Sequence, residues 1–282
     1  MFKTATSLTL PEKDIDDAHA AAQCVVTTHR RLAEFLRVGQ TLGQVDTFVA
    51  RTLEDLRCKS CFLHYQVAKK PKFPSHACLS VNDCVVHGTA GAYLEALKPG
   101  DVVKIDVGVW HRGWVGDAAW TYVMKEMSPL VRRLTECGKE SLRRGVEQLT
   151  PKNSYLAWAQ VVQACVEKGP EQGGYGFHLV RGLGGHGYRY RRLHDAPYVS
   201  NVVPTYPGEW PDALKKCTPG TFIAVEPMIA VGTPRTREAA RQWPVYTEDG
   251  SLSVHYEHDV LITEDGNRVL TEGLEELPDV VG

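Results

Sequence analysis

No run of about 18 uninterrupted apolar residues occurs anywhere in the 282-residue chain, so nothing in it has the length of a helical membrane span. A strong excess of either charge is also missing. The formal charge is −2, with 32 basic and 34 acidic residues mixed along the chain, which removes any global reason to bind nucleic acid or an anionic membrane. There is no low-complexity segment and no linker that would split the chain. A compact disulfide framework is lacking too: eight cysteines (Cys24, Cys58, Cys61, Cys78, Cys84, Cys137, Cys165 and Cys217) lie scattered in apolar surroundings, as reduced thiols in a cytoplasm would. Cys58 and Cys61 form a lone CxxC, CKSC, without the second pair that a four-ligand zinc site needs. They read as ordinary thiols lining a core or pocket.

What is present is enough apolar material, 43% of residues, to bury a substantial core. The spacing of Ile15, Ala18, Ala22, Val25, Leu32 and Leu36 predicts a helix from Glu12 to Arg37, closed by Gly39. Val45, Phe48, Val49, Leu53 and Leu56 predict a second, and Lys69 to Pro74 a solvated connection. Short strands follow at Ala77–Val81, 85–86, Val102–Trp110 and Val115–Met124. Ser128 and Pro129 open a third helix with Leu130, Leu134 and Leu142 inward, and Asn153 or Ser154 opens a fourth ending at Gly169. Strands return at Thr221–Ala230, Leu252–Ile262 and Arg268–Thr271. Two helices then strands, twice over, predict an α+β domain with a curved, mostly antiparallel sheet and helices on one face. Residues 1–11 read as a short N-terminal extension and 12–282 as a single catalytic domain.

Alternation in VVKIDVGVW sets Asp106 against the face of Val103, Ile105, Val107 and Val109. Asp117 lies eleven residues on, past a turn at Arg112 and Gly113, so a hairpin would bring the two carboxylates nearly opposite each other. Close carboxylates repel unless a proton or cation lies between them. Taken alone, both could simply face water. Downstream, however, LGGHGY holds His186, and the apolar strands FIAVEPM and VHYEHDVLI hold Glu226 and Glu257, acids that need a partner there. Four carboxylates and one imidazole suit divalent Mn, Fe, Co or Zn. Two such ions, roughly 3.5 to 4 Å apart, hold a hydroxide at neutral pH and polarise a carbonyl for attack, which favours hydrolysis.

The ordered motifs SVNDCVVHG (80–88), KIDVGV, GD at Asp117, GHG at His186, EPM at Glu226 and SLSVHYEH ending at His258 resemble type I methionine aminopeptidases. These belong to the pita-bread metallopeptidases, and the similarity runs from about Glu12 to Thr271. The resemblance implies the pita-bread fold, with two pairs of helices in pseudo-twofold arrangement. It implies two divalent metal ions: Asp106 chelating one, Asp117 and Glu257 bridging, and His186 and Glu226 completing the other's shell. Glu226 is also the implied proton carrier, and His87 and His194 would flank the scissile amide. Cys78, Trp243 and Phe73 resemble walls of the family's methionine pocket. The implied activity is removal of the initiator methionine from peptides and nascent chains when a small residue follows.

Between His186 and His194 the chain reads GHGYRYRRLHDAP, one residue longer than the family's usual connection, and Val199–Pro219 is longer as well. Arg189, Arg191 and Arg192 make the rim basic, which suits a transient ribosome contact but reads more simply as a solvated loop. A monomer without membrane or specific nucleic-acid partners is the default. An X-Pro aminopeptidase or prolidase of the same fold, and a binding module that has lost catalysis, are the alternatives. The former usually carries an additional N-terminal domain, and the latter typically loses metal ligands.

Overall fold

A computed structural model describes residues 11–282, so all but the last residue of the expected N-terminal extension lies outside the described residues. Helices α1 (Glu12–Phe35) and α2 (Leu42–Asp55) come first. Strands β1 (Lys59–Ser60), β2 (Cys78–Val81) and β3 (Cys84–Val86) lead into the long hairpin of β4 (Val102–His111) and β5 (Trp114–Met124). Helices α3 (Pro129–Val146) and α4 (Tyr155–Glu167) open the second half. It continues with β6 (His178–Leu179), β7 (Gly184–Arg189), β8 (Arg192–Ser200), β9 (Phe222–Val225) and β10 (Met228–Ala230). The last strands are β11 (Thr236–Glu238), β12 (Val245–Thr247), β13 (Ser253–His255), β14 (His258–Ile262), β15 (Asn267–Val269) and β16 (Val280–Val281).

Local chemistry explains the helix starts. Thr41 and Gln44 form a reciprocal capping box on α2, and the Ser128 hydroxyl accepts from the Val131 N–H ahead of Pro129 on α3. The α3 stripe runs through Val131, Leu134, Cys137 and Leu142. Leu130, expected inward, lies outside it and is 43% exposed. At the β4–β5 turn both Arg112 and Gly113 have positive φ, as a two-residue hairpin turn whose twist matches its strands requires.

Two larger sheets and two small ones carry the site. In the first, β4 is flanked by β5 and by β1 and β2, and β16 runs parallel to β5; the second has the order β15-β14-β9-β7-β8. The remaining strands form β13-β10-β6 and β11-β12-β3. Helix α1 packs on β4 and β5, while α3 and α4 pack on each other and on strands of the second half.

The expected strands Thr221–Ala230 and Leu252–Ile262 are each broken in two. Both breaks occur where the chain changes sheets: β9 and β14 pair with each other, and after the corner β10 pairs with β13. Pro227, which has no N–H to give a ladder, ends β9 on one strand. On the other, the Glu257 N–H leaves its sheet for the Ala119 carbonyl of β5, 2.9 Å away. Glu226 and Glu257 therefore sit side by side at one corner.

The segment read as a solvated arginine-rich loop is the β7–β8 hairpin. Residues split evenly between an inward and an outward side carry too weak an apolar signal to identify such strands from sequence. The expected solvated connection, Lys69 to Pro74, is exposed except at Lys70, which is half-buried against Glu238 and Trp243, and at Phe73, which turns inward and is 2% exposed.

Candidate active site

The four acids arrive from both halves of the chain. Asp106 on β4 pairs with Ala119, and Asp117 on β5 pairs with Gly108. The two aspartates are therefore diagonal neighbours on one sheet face, not directly opposite as the eleven-residue spacing suggested. Their side chains still touch. Glu226 and Glu257 come in from the strand corner. His186 comes from β7, where space for the backbone is short: a Cβ on Gly185 would lie 2.2 Å from the Ala224 oxygen, and one on Gly187 2.1 Å from the Ala196 oxygen. The GHG motif is thus what lets β7 squeeze between β8 and β9.

All ten residues singled out in the sequence line one cleft: Phe73, Cys78, His87, Asp106, Asp117, His186, His194, Glu226, Trp243 and Glu257. The β7–β8 pairing shifts register between His186 and Arg189, and the His186 and His194 ring centroids lie 4.3 Å apart. Phe73 meets Trp243 edge to face at 5.2 Å, forming an apolar wall beside Cys78 and His87. Trp243 is anchored there by its indole N–H, which donates to the Pro71 carbonyl at 2.9 Å.

Electrostatics make this cluster costly without a cation. Burial pushes the carboxyls up, Asp106 to about 7 and Glu226 to about 8; for Asp117 and Glu257 the neighbouring carboxylates add to the same upward push. Asp106 Oδ1 and Asp117 Oδ1 are buried without a hydrogen-bond partner. His186 Nδ1 lies 3.1 Å from the Gly187 carbonyl oxygen, and bonding to it fixes the N–H there, leaving the Nε2 lone pair facing Asp117 Oδ2 at 3.9 Å. A lone pair and a carboxylate oxygen aimed at one another repel, and a shared divalent cation resolves the conflict. At the cleft two donor groups are close enough for an ion, Asp117/His186/Glu257 and Glu226/His255/Glu257, with Glu257 in both. His186 and Glu226, expected to serve one ion, fall in different groups. These oxygen-rich donors fit divalent transition metals.

Four contributors were not anticipated. Phe62 and Tyr65 line the cleft, and the Tyr65 hydroxyl is hydrogen bonded to His194 Nδ1 at 2.6 Å. His255, 2% exposed, brings Nε2 to 3.3 Å from Glu226 Oε2 and 4.0 Å from Glu257 Oε2. Asp259, wholly buried, accepts the Asp117 N–H. His255 and Asp259 flank Glu257 at alternate positions, a period-two signal in VHYEHDVLI that could have found them. Tyr65 is brought in by tertiary packing alone. His258, the end of the SLSVHYEH motif, points elsewhere, to Thr271 and Glu275.

Among the described residues no helix is long and apolar enough to cross a membrane. The sequence pattern of metallopeptidase family M24 matches residues 16–264. The chain is 33% identical over 262 residues to a methionine aminopeptidase of Aquifex aeolicus, covering 93% of this chain and 97% of that one. The crystal structure of a methionine aminopeptidase from Thermotoga maritima superposes with a TM-score of 0.80 at 30% identity, covering 93% of this chain and 98% of that chain. An X-Pro aminopeptidase from the same organism shares the fold at 17% identity and a TM-score of 0.69, over 96% of this chain and 63% of that chain. The architecture is the pita-bread fold that the motifs implied.

Proposed function

This chain belongs to metallopeptidase family M24, and on that premise we propose that it is a metal-dependent aminopeptidase removing N-terminal methionine from proteins and peptides in which a small residue follows. The observation that carries the reading is the convergence of Asp106, Asp117, His186, Glu226 and Glu257 on one cleft with an apolar wall of Phe73, Cys78 and Trp243. Residues 12–282 act as one catalytic unit, since the donors come from both halves.

Asp106, Asp117, His186, Glu226 and Glu257 would hold two divalent ions drawn from Co, Mn, Fe and Zn, with Glu257 shared. Bound ions would supply a nucleophile at neutral pH and polarise the scissile carbonyl. Glu226 would also carry the proton, taking it from the attacking water and passing it to the leaving amine. Burial keeps His87 neutral, holding it down to about 4, so it would act as a hydrogen-bonding group on the substrate amide or its tetrahedral intermediate and not as a cation. His194, oriented by Tyr65, would bind the same amide from the other side. The thioether would lie against Cys78, Phe73 and Trp243, where apolar and aromatic surface suits sulfur.

The substrates would be nascent chains in the cytoplasm, a setting in keeping with eight cysteines all free. A monomer suffices, because every proposed donor belongs to one chain. The basic rim offers a ribosome less than its composition suggested: Arg189 and Arg192 both face Asp195, at 2.6 and 3.6 Å.

The test is release of free methionine from a Met-Gly-X peptide by metal-stripped protein, with Co, Mn, Fe or Zn restored singly under anaerobic conditions. Turnover that returns with metal and vanishes on an N-acetylated peptide supports the reading. Metal binding without turnover on any methionyl peptide refutes it.

A further inference from the structure

Both members of the CKSC pair are buried. Burial, with the charges of Asp117, Asp259 and Asp106, pushes the Cys61 thiol up. Cys58, three residues earlier, belongs to a donor cluster that does not include Cys61. Its Sγ lies 3.5 Å from His111 Nδ1, and Cys24 Sγ of α1 completes a set of three donor atoms all within 4.8 Å of one another. Cys58 is buried, and Cys24 and His111 are half-buried. The three come from separate elements: Cys24 from the middle of α1, Cys58 from just beyond α2, and His111 from the last position of β4.

We propose that Cys24, Cys58 and His111 form a second metal site, distinct from the carboxylate cleft, that takes one zinc-class divalent ion with its fourth position open to solvent. Donor chemistry separates the two sites. The cleft offers mainly carboxylate oxygen, whereas two thiolates and an imidazole are soft donors that select zinc. The geometry agrees: tetrahedral zinc with Zn–S about 2.3 Å and Zn–N about 2.0–2.1 Å sets sulfur and nitrogen about 3.5 Å apart, the separation found between Cys58 and His111. The remaining edges need to close by no more than about 1.3 Å to reach tetrahedral values of about 3.5–3.8 Å. Arg112, next along the chain, pairs its guanidinium with Asp17 at 3.0 Å, and its charge still acts on Cys24 and His111, favouring their deprotonated forms. Without an ion the Cys58 thiol donates to the Leu56 carbonyl at 3.5 Å; binding releases the two thiol protons to solvent. An ion there would tie α1, the end of α2 and β4 together, on the strand that carries Asp106.

Anaerobic cobalt titration of the reduced full-length protein tests this without any reading of turnover, so its outcome is independent of the aminopeptidase assignment. The expected result is a near-ultraviolet thiolate-to-cobalt charge-transfer band that saturates at one ion per chain and persists in Asp117→Ala. The band is lost in Cys58→Ser and in His111→Phe is weakened or displaced, while both variants keep the ions of the cleft. Having two variants on different elements guards against a fold defect in one. Absence of the band from the wild-type protein overturns the proposal. So does a band that survives Cys58→Ser and Cys24→Ser, which would move the thiolate ligand to Cys78 or Cys61. Recovery of a Cys24–Cys58 disulfide from reduced, zinc-supplemented protein would also overturn it.

Discussion

Asp259 Oδ2 accepts the backbone N–H of Asp117 at 2.7 Å, so a wholly buried aspartate braces the strand position from which Asp117 projects into the cleft. Asp259→Ala leaves that N–H buried and unpaired, a cost of about 1–3 kcal/mol, and frees Asp117 to shift. The expected outcome is a lower denaturant midpoint together with weaker metal binding. Asp259→Asn, which keeps an acceptor oxygen, should retain most of both. Equal damage in the two variants would mean the carboxylate acts otherwise than through this hydrogen bond.

Asp117→Ala and Glu257→Ala each remove a donor from the paired cluster, and turnover should fall to background with ions lost on dialysis. His87→Ala removes a neutral hydrogen-bonding group instead. Its turnover should drop roughly 10²–10⁴-fold while elemental analysis finds the metal content unchanged. Full activity in either acidic variant would refute the proposed metal site.

His255 stands 3.3 Å from Glu226 without the angle of a hydrogen bond, and its Nε2 has no other partner. It acts as a positioning residue for Glu226, or joins Glu226 and Glu257 as a nitrogen donor. His255→Ala should reduce kcat or metal affinity about 10–100-fold, the usual cost of losing a partner of a ligand. His255→Gln should restore kcat if orientation is the role, whereas metal affinity should stay low if the nitrogen is a ligand.

His29 bridges α1 to β5, its ring nitrogens lying 3.0 Å from the Tyr122 hydroxyl and 3.2 Å from the Ala118 carbonyl. Burial holds its imidazole down to about 4 from 6.5. Between those values the unfolded chain binds the extra proton, so the contribution is whole above pH 6.5 and is lost as pH falls toward 4. The loss amounts to about 3 kcal/mol. Urea denaturation of the wild type and His29→Gln should show a shallower decline over this window in the variant. Parallel curves would exclude His29 as a source of acid sensitivity.

Much of the cleft was legible because its residues carry chemistry that apolar strands do not tolerate unpartnered. Asp106, Glu226 and Glu257 stand out in runs of valine, isoleucine and methionine, and motif order linked them to His87, His186 and His194. Helix starts were equally local, as Ser128 shows. What escaped were features set by partners far away in sequence. The β7–β8 hairpin looked like a polar loop, and the breaks at Glu226 and Glu257 looked like continuous strands, because sheet switching is decided by which backbone carbonyl an N–H finds.

The amino-acid sequence by itself determined the donor types, their order along the chain and the helical and strand periods that present them, since these depend on side-chain chemistry and near neighbours. Tertiary structure alone decided that Asp117 lies diagonal to Asp106, that Tyr65 reaches His194, and that Cys58 meets Cys24 and His111. Those relationships follow from register and sheet crossing, where elements distant in the chain settle backbone hydrogen bonds and packing together.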